Sequence, residues 1–283
     1  MKFQEPGAPL GGSANAALPP RSNWLLAILS FGDKMLVIAE LEIRKLRHDA
    51  TELFSRAIQP ALWLLVFGQV FARTRAIPTG DIPYLDFMAP GILAQSVLFI
   101  AIFYGIAIIW ERDLGVVHKL LVSPTPRAAL VLGKALSASV RGLAQGAVVY
   151  ALAALLGVRI NWNPLALAGV AAAIVLGATT FSTFSLIIAC IVKTRERFMG
   201  IGQVMTMPLF FASNAIYPIS MMPNWLRVVA HVNPLTYEVD ALRTLMLVQG
   251  TSTFGLAADY GVLLGATAIF VALGAWIYPN VVR

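Results

Sequence analysis

Three histidines, one cysteine and a glycine–lysine pair are the residues of this chain with the most chemistry to offer. His48, His118 and His231 are scattered and match no metal-ligand spacing, and Cys190 stands alone in an apolar run. Neither a zinc site nor a disulfide framework follows from them, and Cys190 reads as a small buried hydrophobe. Gly133-Lys134 is followed by Ala135 and lacks the upstream glycine of a phosphate-cradling loop, so ATP hydrolysis by that route is excluded. The hydroxyls of Thr179, Thr180, Ser182, Thr183 and Ser185 lie in an apolar run with no histidine, lysine or aspartate to activate them. They fit helix packing better than nucleophilic catalysis. No buried carboxylate pair falls within an apolar stretch, as a proton- or sodium-coupled pump would need. The expectation is a chain without catalytic residues, without a metal and without a cofactor of its own.

What the apolar stretches do carry is polar but uncharged: Gln59, Gln69, Gln95, Ser96, Tyr104, Gln145, Tyr150, Gln203, Ser213 and Asn214. Such groups either tie helices together or line a path for an amphipathic molecule. Gln59, Gln69, Gln95, Phe103, Tyr104, Gln203, Phe210 and Asn214 are the candidates for that path. Phe99, Phe103, Tyr104, Trp110, Phe210 and Phe211 offer rings on which a sugar can stack, or serve as ordinary packing residues.

The elements that would position these groups are membrane helices. Of 283 residues, 58% are hydrophobic and 12% charged, and the mean hydropathy is +0.77. Soluble domains carry about 25% charged residues, so much of this chain meets no water. Six apolar runs are long enough, or nearly so, to span a bilayer: 57–72, 87–110, 135–158, 160–192, 198–226 and 260–282. The last part of the fifth is broken by Pro208, Pro218 and Pro223. Residues 1–32 are expected to form a disordered tail rich in Gly, Ala and Pro, without a cleavable leader. A single membrane domain is expected over 33–283.

The net charge of +7 falls between the apolar runs, where it reads as topology rather than as affinity for nucleic acid. With a cytoplasmic N-terminus, 16 of the 21 Lys and Arg lie inside and 5 outside. Both termini are therefore expected in the cytoplasm. Arg141 is expected near the inner end of the third helix.

Three segments do not span. Residues 33–54 place Leu36, Ala39, Ile43, Leu46, Ala50, Leu53 and Phe54 on one helical face and Glu40, Arg44, Lys45, Arg47, His48 and Asp49 on the rest. This is an amphipathic helix on the inner membrane surface, either a plain anchor or a partner contact. Residues 111–127 put Leu114, Val117 and Leu121 on one face of a short cytoplasmic helix that Ser123-Pro124 ends. Composition leaves open whether it is a solvated loop or docks into a groove on a partner. Residues 217–245 combine Pro218, Pro223, Trp225, Asn233-Pro234 and Tyr237, the pattern of two short re-entrant helices at the outer interface. Glu238 and Asp240 are expected to form ion pairs or to face the outer water.

Three stretches resemble a known family. They are Arg56 to Phe71, with Gln59-Pro60 and Phe67-Gly68-Gln69-Val70-Phe71; then Glu111-Arg112-Asp113-Leu114-Gly115 with Leu120-Leu121-Val122-Ser123-Pro124-Thr125-Pro126-Arg127 and Gly133-Lys134; then Asn233-Pro234-Leu235-Thr236-Tyr237-Glu238-Val239-Asp240-Ala241-Leu242-Arg243. In order and spacing the array is similar to ABC-2 type transporter permeases, most closely the daunorubicin-resistance type of membrane subunit.

The resemblance implies an all-α fold of six membrane helices. Two permeases, identical or sister subunits, would join two cytoplasmic ATPase subunits that hold ATP and magnesium. Residues 33–54 would be the interface helix, with Glu40, Arg44 and Arg47 on its polar face. Glu111, Arg112, Asp113, Leu114, Val117, Leu121 and Arg127 would form the coupling segment. Helices one and five would face each other across the dimer, with cargo moving between them. Separately from the resemblance, the lack of a targeting segment fits the plasma membrane of a prokaryote, whose lipids would be further partners. The cargo class implied is a lipophilic or amphipathic drug, antibiotic or lipid. A lipid-linked polysaccharide is the alternative cargo, and a non-transporting membrane scaffold or sensor is the alternative of another class.

Overall fold

The computed structural model describes residues 57–74, 77–80, 82–115, 127–192 and 194–278. The described chain is helical, with a single isolated antiparallel bridge between Ile160 and Leu247 in place of any sheet. The first helix, α1, covers 57–74 and changes pitch midway, with a π-helical turn at Trp63–Gly68 before Gln69–Thr74. The others are α2 (Tyr84–Tyr104), α3 (Ile106–Asp113), α4 (Arg127–Leu155), α5 (Pro164–Ile191), α6 (Arg195–Phe211), α7 (Asn224–Val232), α8 (Pro234–Met246) and α9 (Leu256–Ile277).

Among the described residues, four helical stretches are long and apolar enough to cross a membrane: Tyr84–Asp113, which joins α2 and α3, Leu130–Leu155, Pro164–Ile191 and Leu256–Ile277. Six were expected. Of the other two, α1 is divided by its π turn, and α6 stops at Phe211 after 17 residues. Pro208 lies within α6, but from residue 212 the apolar run leaves the helix, and Pro218 and Pro223, which lack a backbone N–H, stand just before the short turn Ile219–Met221 and before α7.

Local chemistry explains where the helices begin. Asn163 Oδ1 accepts from the Leu165 N–H at 3.0 Å and Pro164 takes the first helical position of α5. Asn233 and Pro234 repeat the device on α8, with Asn233 Oδ1 accepting from Leu235 N–H at 3.1 Å. Thr194 Oγ1 accepts from the Arg197 N–H to cap α6.

The centre of the bundle is α5, packed against α2, α4, α8 and α9. The main core joins Leu93, Val97, Leu98, Val149, Ile174, Phe181, Leu235, Val239 and Leu242. A smaller core at the opposite end joins Ile108 and Ile109 of α3, Val131 of α4, Leu186 of α5, Phe198 of α6 and Tyr278 beyond α9. The hydroxyls of α5 bond across to its neighbours. Thr179 meets Ser139 of α4 at 3.1 Å, Thr180 meets Thr267 of α9 at 2.6 Å, and Ser185 donates to the Ile102 carbonyl of α2. Interhelical bonds of this kind contribute on the order of 0.6 kcal/mol each. Most of α9 faces outward, with Leu264, Ile269, Leu273 and Trp276 exposed where lipid would cover them.

The α2–α3 helix and α4 are antiparallel in one register. Asp86 binds Arg159 at 2.9 Å, Arg141 lies over the Tyr104 ring at 5.8 Å, and Glu111 binds Lys134. Each step along α2–α3, of 18 and then 7 residues, is matched by an equal step back from Arg159 toward α4's start. α4 begins at Arg127, eight residues ahead of the expected boundary, so Arg141 sits near its middle instead of near its start. At 1.5 Å per residue it is about 10 Å deeper than Lys134.

Candidate translocation path and coupling end

The expected coupling residues lie where α3 ends. Glu111 forms an ion pair with Lys134 of α4. Arg112 bonds Asp113 at 3.0 Å, and Asp113 accepts from Arg195, the first residue of α6, at 2.9 Å. The Arg195 guanidinium lies 3.5 Å from the centre of the Trp110 ring. Leu114, 72% exposed, projects from the helix end directly before residues 116–126. Val117 and Leu121 lie outside the described residues, as do Glu40, Arg44 and Arg47. Arg127 opens α4, but its side chain is likewise outside them.

A break in the long helix lies above this end. Gly105 separates α2 from α3, and its Cα sits so close to Ser185 of α5 and to the Phe198 ring of α6 that a methyl group there would collide with both. α6 therefore presents one face, Arg195, Phe198 and Gly202, to α3 and the end of α2.

The expected path residues fall into three groups. Gln59 and Phe103 line one cavity of about 310 Å³ with Ser96, Phe99, Ile100 and Gln145. Phe99 and Phe103 stack there with centroids 6.1 Å apart, and Tyr104 follows beneath Arg141. Gln69 of α1 and Gln203 of α6 are exposed, on helices that meet through Trp63 and Phe210 at 5.8 Å. Gln95 and Asn214 are buried inside the chain, where Gln95 Nε2 and Asn214 Oδ1 have no hydrogen-bond partner. A second, larger groove of about 900 Å³ runs between α6 and α7, lined by Val204, Leu209, Phe211, Trp225, Val229 and Val232.

The opposite end of the molecule is organised by α8. Residues 212–216 are buried but not helical, so their backbone groups need side-chain partners. Arg243 supplies one, donating to the Asn214 carbonyl at 2.7 Å and to the Phe87 carbonyl at 3.3 Å while its guanidinium covers the Phe87 ring at 3.8 Å. Tyr84 Oη donates to the Ile216 carbonyl at 3.1 Å. Asn233 Nδ2 donates to the carbonyls of Leu209 and Ala212 at the end of α6.

The acids of α8 behave differently from expectation. Asp240 is buried and accepts from Ser252 Oγ and from the Thr253 and Phe254 N–H groups, fixing the loop that leads to α9. Ser252 also reaches Asp259 at 3.3 Å. Glu238 neither faces water nor pairs with a cation. It is fully buried against Gly177 of α5, and neither carboxyl oxygen has a hydrogen-bond partner. Burial pushes its carboxyl well above the usual carboxylate range, toward the protonated form. No sequence pattern pointed to this, because the contact depends on the absence of a side chain at Gly177, 61 residues away. Lys134, Trp110 and Arg195 were likewise missed as partners of the coupling end. These contacts join side chains on α3, α4 and α6, which no local pattern brings together.

Residues 34–247 match the family model described as ABC-2 type transporter. The chain is similar to the daunorubicin resistance ABC transporter permease protein DrrB1 of Streptomyces coeruleorubidus, 26% identical over 83% of this chain and 82% of the relative. It is similar to the putative transport permease ycf38 of Cyanophora paradoxa, 28% identical over 76% of this chain and 74% of the relative. The inner membrane transport permease YadH of Escherichia coli K12 is 24% identical over 73% of this chain and 79% of its own length.

Proposed function

Because this chain belongs to the ABC-2 type transporter family, we propose that it is the membrane permease of an ATP-driven exporter, moved by a separate cytoplasmic ATPase and carrying lipophilic or amphipathic molecules outward. The observation that carries the reading is the end of α3. There Leu114 is exposed beside the ion-paired Glu111, Arg112 and Asp113, at the start of the segment expected to meet the ATPase. Val117, Leu121 and Arg127 would complete that contact, with Glu40, Arg44 and Arg47 of the interface helix beside it. The functional unit is two permeases with two ATPase subunits in a plasma membrane, with ATP and magnesium held by the ATPases.

In this reading α1 and α6 supply the fifth and sixth spans, both termini are cytoplasmic, and α7 and α8 re-enter from the outer side. The apolar groove between α6 and α7, and the cavity that joins Gln59 to Phe103, suit a cargo with a large apolar body and few polar groups. The name of the DrrB1 relative, a daunorubicin resistance permease, agrees with such a cargo. Closure of the ATPase pair on ATP would favour one of two permease states through contacts made only in that state.

The test is ATP hydrolysis by the permease–ATPase complex in lipid nanodiscs, with amphipathic drugs and then lipid-linked glycans added. Stimulation by drugs that disappears in Leu114→Ser agrees with the proposal. Stimulation by glycans alone would move the chain to polysaccharide export, and failure of the ATPase to bind would remove the exporter reading.

A further inference from the structure

We infer that Arg195 is a positioning residue that carries movement of the coupling segment into α6, through a contact with Asp113 and Trp110 built to open and close in each cycle. This rests on the exporter reading above and adds to it the route by which the inner end reaches the path.

The expected coupling segment links α3 to α4 in the chain, and the described residues on either side of it are anchored. Glu111 ties α3 to Lys134 of α4, and Ile108 and Ile109 of α3 share a buried cluster with Val131 of α4. The tie to α6 is of another kind. Arg195 Nη2 donates to Asp113 Oδ2 at 2.9 Å, and the same guanidinium lies flat against Trp110 at 3.5 Å. Carboxylate and ring come from one turn of α3, three residues apart, so both act on the guanidinium from the same helix end. Only arginine satisfies the two together, since its planar group can stack and donate at once.

All three side chains are partly exposed. Exposed pairs contribute little to stability, so this arrangement is poorly suited to hold the fold and well suited to release. The static part of the α3–α6 contact lies one turn away, where Phe198 is fully buried against Gly105. Gly105 is also the break between α2 and α3. α3 can therefore pivot on a packed point while its tip pulls on Arg195. α6 leads from that tip to Gln203, Phe210 and Phe211, and its last carbonyls are held by Asn233.

The experiment uses the full-length permease in complex with its ATPase in proteoliposomes, recording ATP hydrolysis and cargo transport for Arg195→Ala, Arg195→Lys, Asp113→Arg, Arg195→Asp and the swap Asp113→Arg/Arg195→Asp. The expected result is that complexes assemble and hydrolyse ATP, while transport per ATP falls about tenfold or more in the single variants and recovers in part in the swap. Lysine keeps the charge but not the stack, so Arg195→Lys should fall between. Normal transport per ATP in Arg195→Ala overturns the inference. If single variants fail to assemble, Trp110→Ala decides, because it removes the stack and keeps the Asp113 ion pair: an assembled Trp110→Ala complex with normal transport per ATP also overturns the inference. Wild type without ATP-dependent transport removes the exporter reading itself, an outcome distinct from wild type that couples and variants that are unaffected.

Discussion

At the scale of single residues, the outer end of the molecule depends on a few polar side chains used twice. Asn233 caps α8 with its oxygen and α6 with its nitrogen. Asn233→Asp keeps the first role and loses the second, whereas Asn233→Ala loses both. The alanine variant should lose about 1–2 kcal/mol from the cap alone, and more from the freed carbonyls, with aspartate intermediate, in reversible unfolding from mild detergent. Glu238 gives a pH prediction. Its raised pKa means the folded protein holds a proton that the unfolded chain releases. Stability is then full below the ordinary glutamate range and declines as pH rises from there toward the raised value. Glu238→Gln should flatten that decline, read as midpoint of unfolding against pH; an unchanged slope would place the titrating group elsewhere. Gly177→Ala should destabilise at every pH, because its methyl group collides with the Glu238 carboxyl.

At the scale of elements, the sequence was clearest where one residue type controls the backbone. Asn233-Pro234 marked the junction of two short helices, and those helices are present on either side of it. The apolar runs located the four longest helices. Boundaries were less legible where no cap intervenes. The start of α4 lies within a stretch of alanine, leucine and lysine equally good for helix, so Arg127–Lys134 joined it and moved Arg141 toward the middle. The break at Gly105 was invisible for a different reason. The glycine is a weak helix former in any helix, and what the sequence does not show is that Ser185 of α5 and Phe198 of α6 occupy the space its side chain would need. Gly105→Ala should force α3 away from Phe198. The measured signs would be a lower unfolding midpoint and weaker cross-linking of cysteines placed at positions 113 and 195, whereas unchanged cross-linking would mean that α3 is not seated by this contact.

At the scale of the whole molecule, charge asymmetry and the antiparallel α2–α4 register place the Glu111–Lys134 end and the Asp86–Arg159 end on opposite sides of a membrane. In a chain whose buried Cys190 is replaced by alanine, a cysteine at Leu114 should label only from the cytoplasm and one at Ser220 only from outside. Labelling of both from one side would break the assigned topology. What the sequence did not disclose is the network among α8, α5 and the buried 212–216 segment, since each of those contacts joins residues tens of positions apart.

In the function proposed above, this chain converts a partner's ATP hydrolysis into outward movement of an amphipathic cargo. The direct measurement is ATP-dependent uptake of a fluorescent lipophilic drug into inverted membrane vesicles containing the permease and its ATPase. Uptake that requires both proteins, and is lost when Leu114→Ser replaces the exposed tip of α3, is the result this account predicts. Drug uptake that proceeds equally without the ATPase, or is unchanged in that variant, would contradict it.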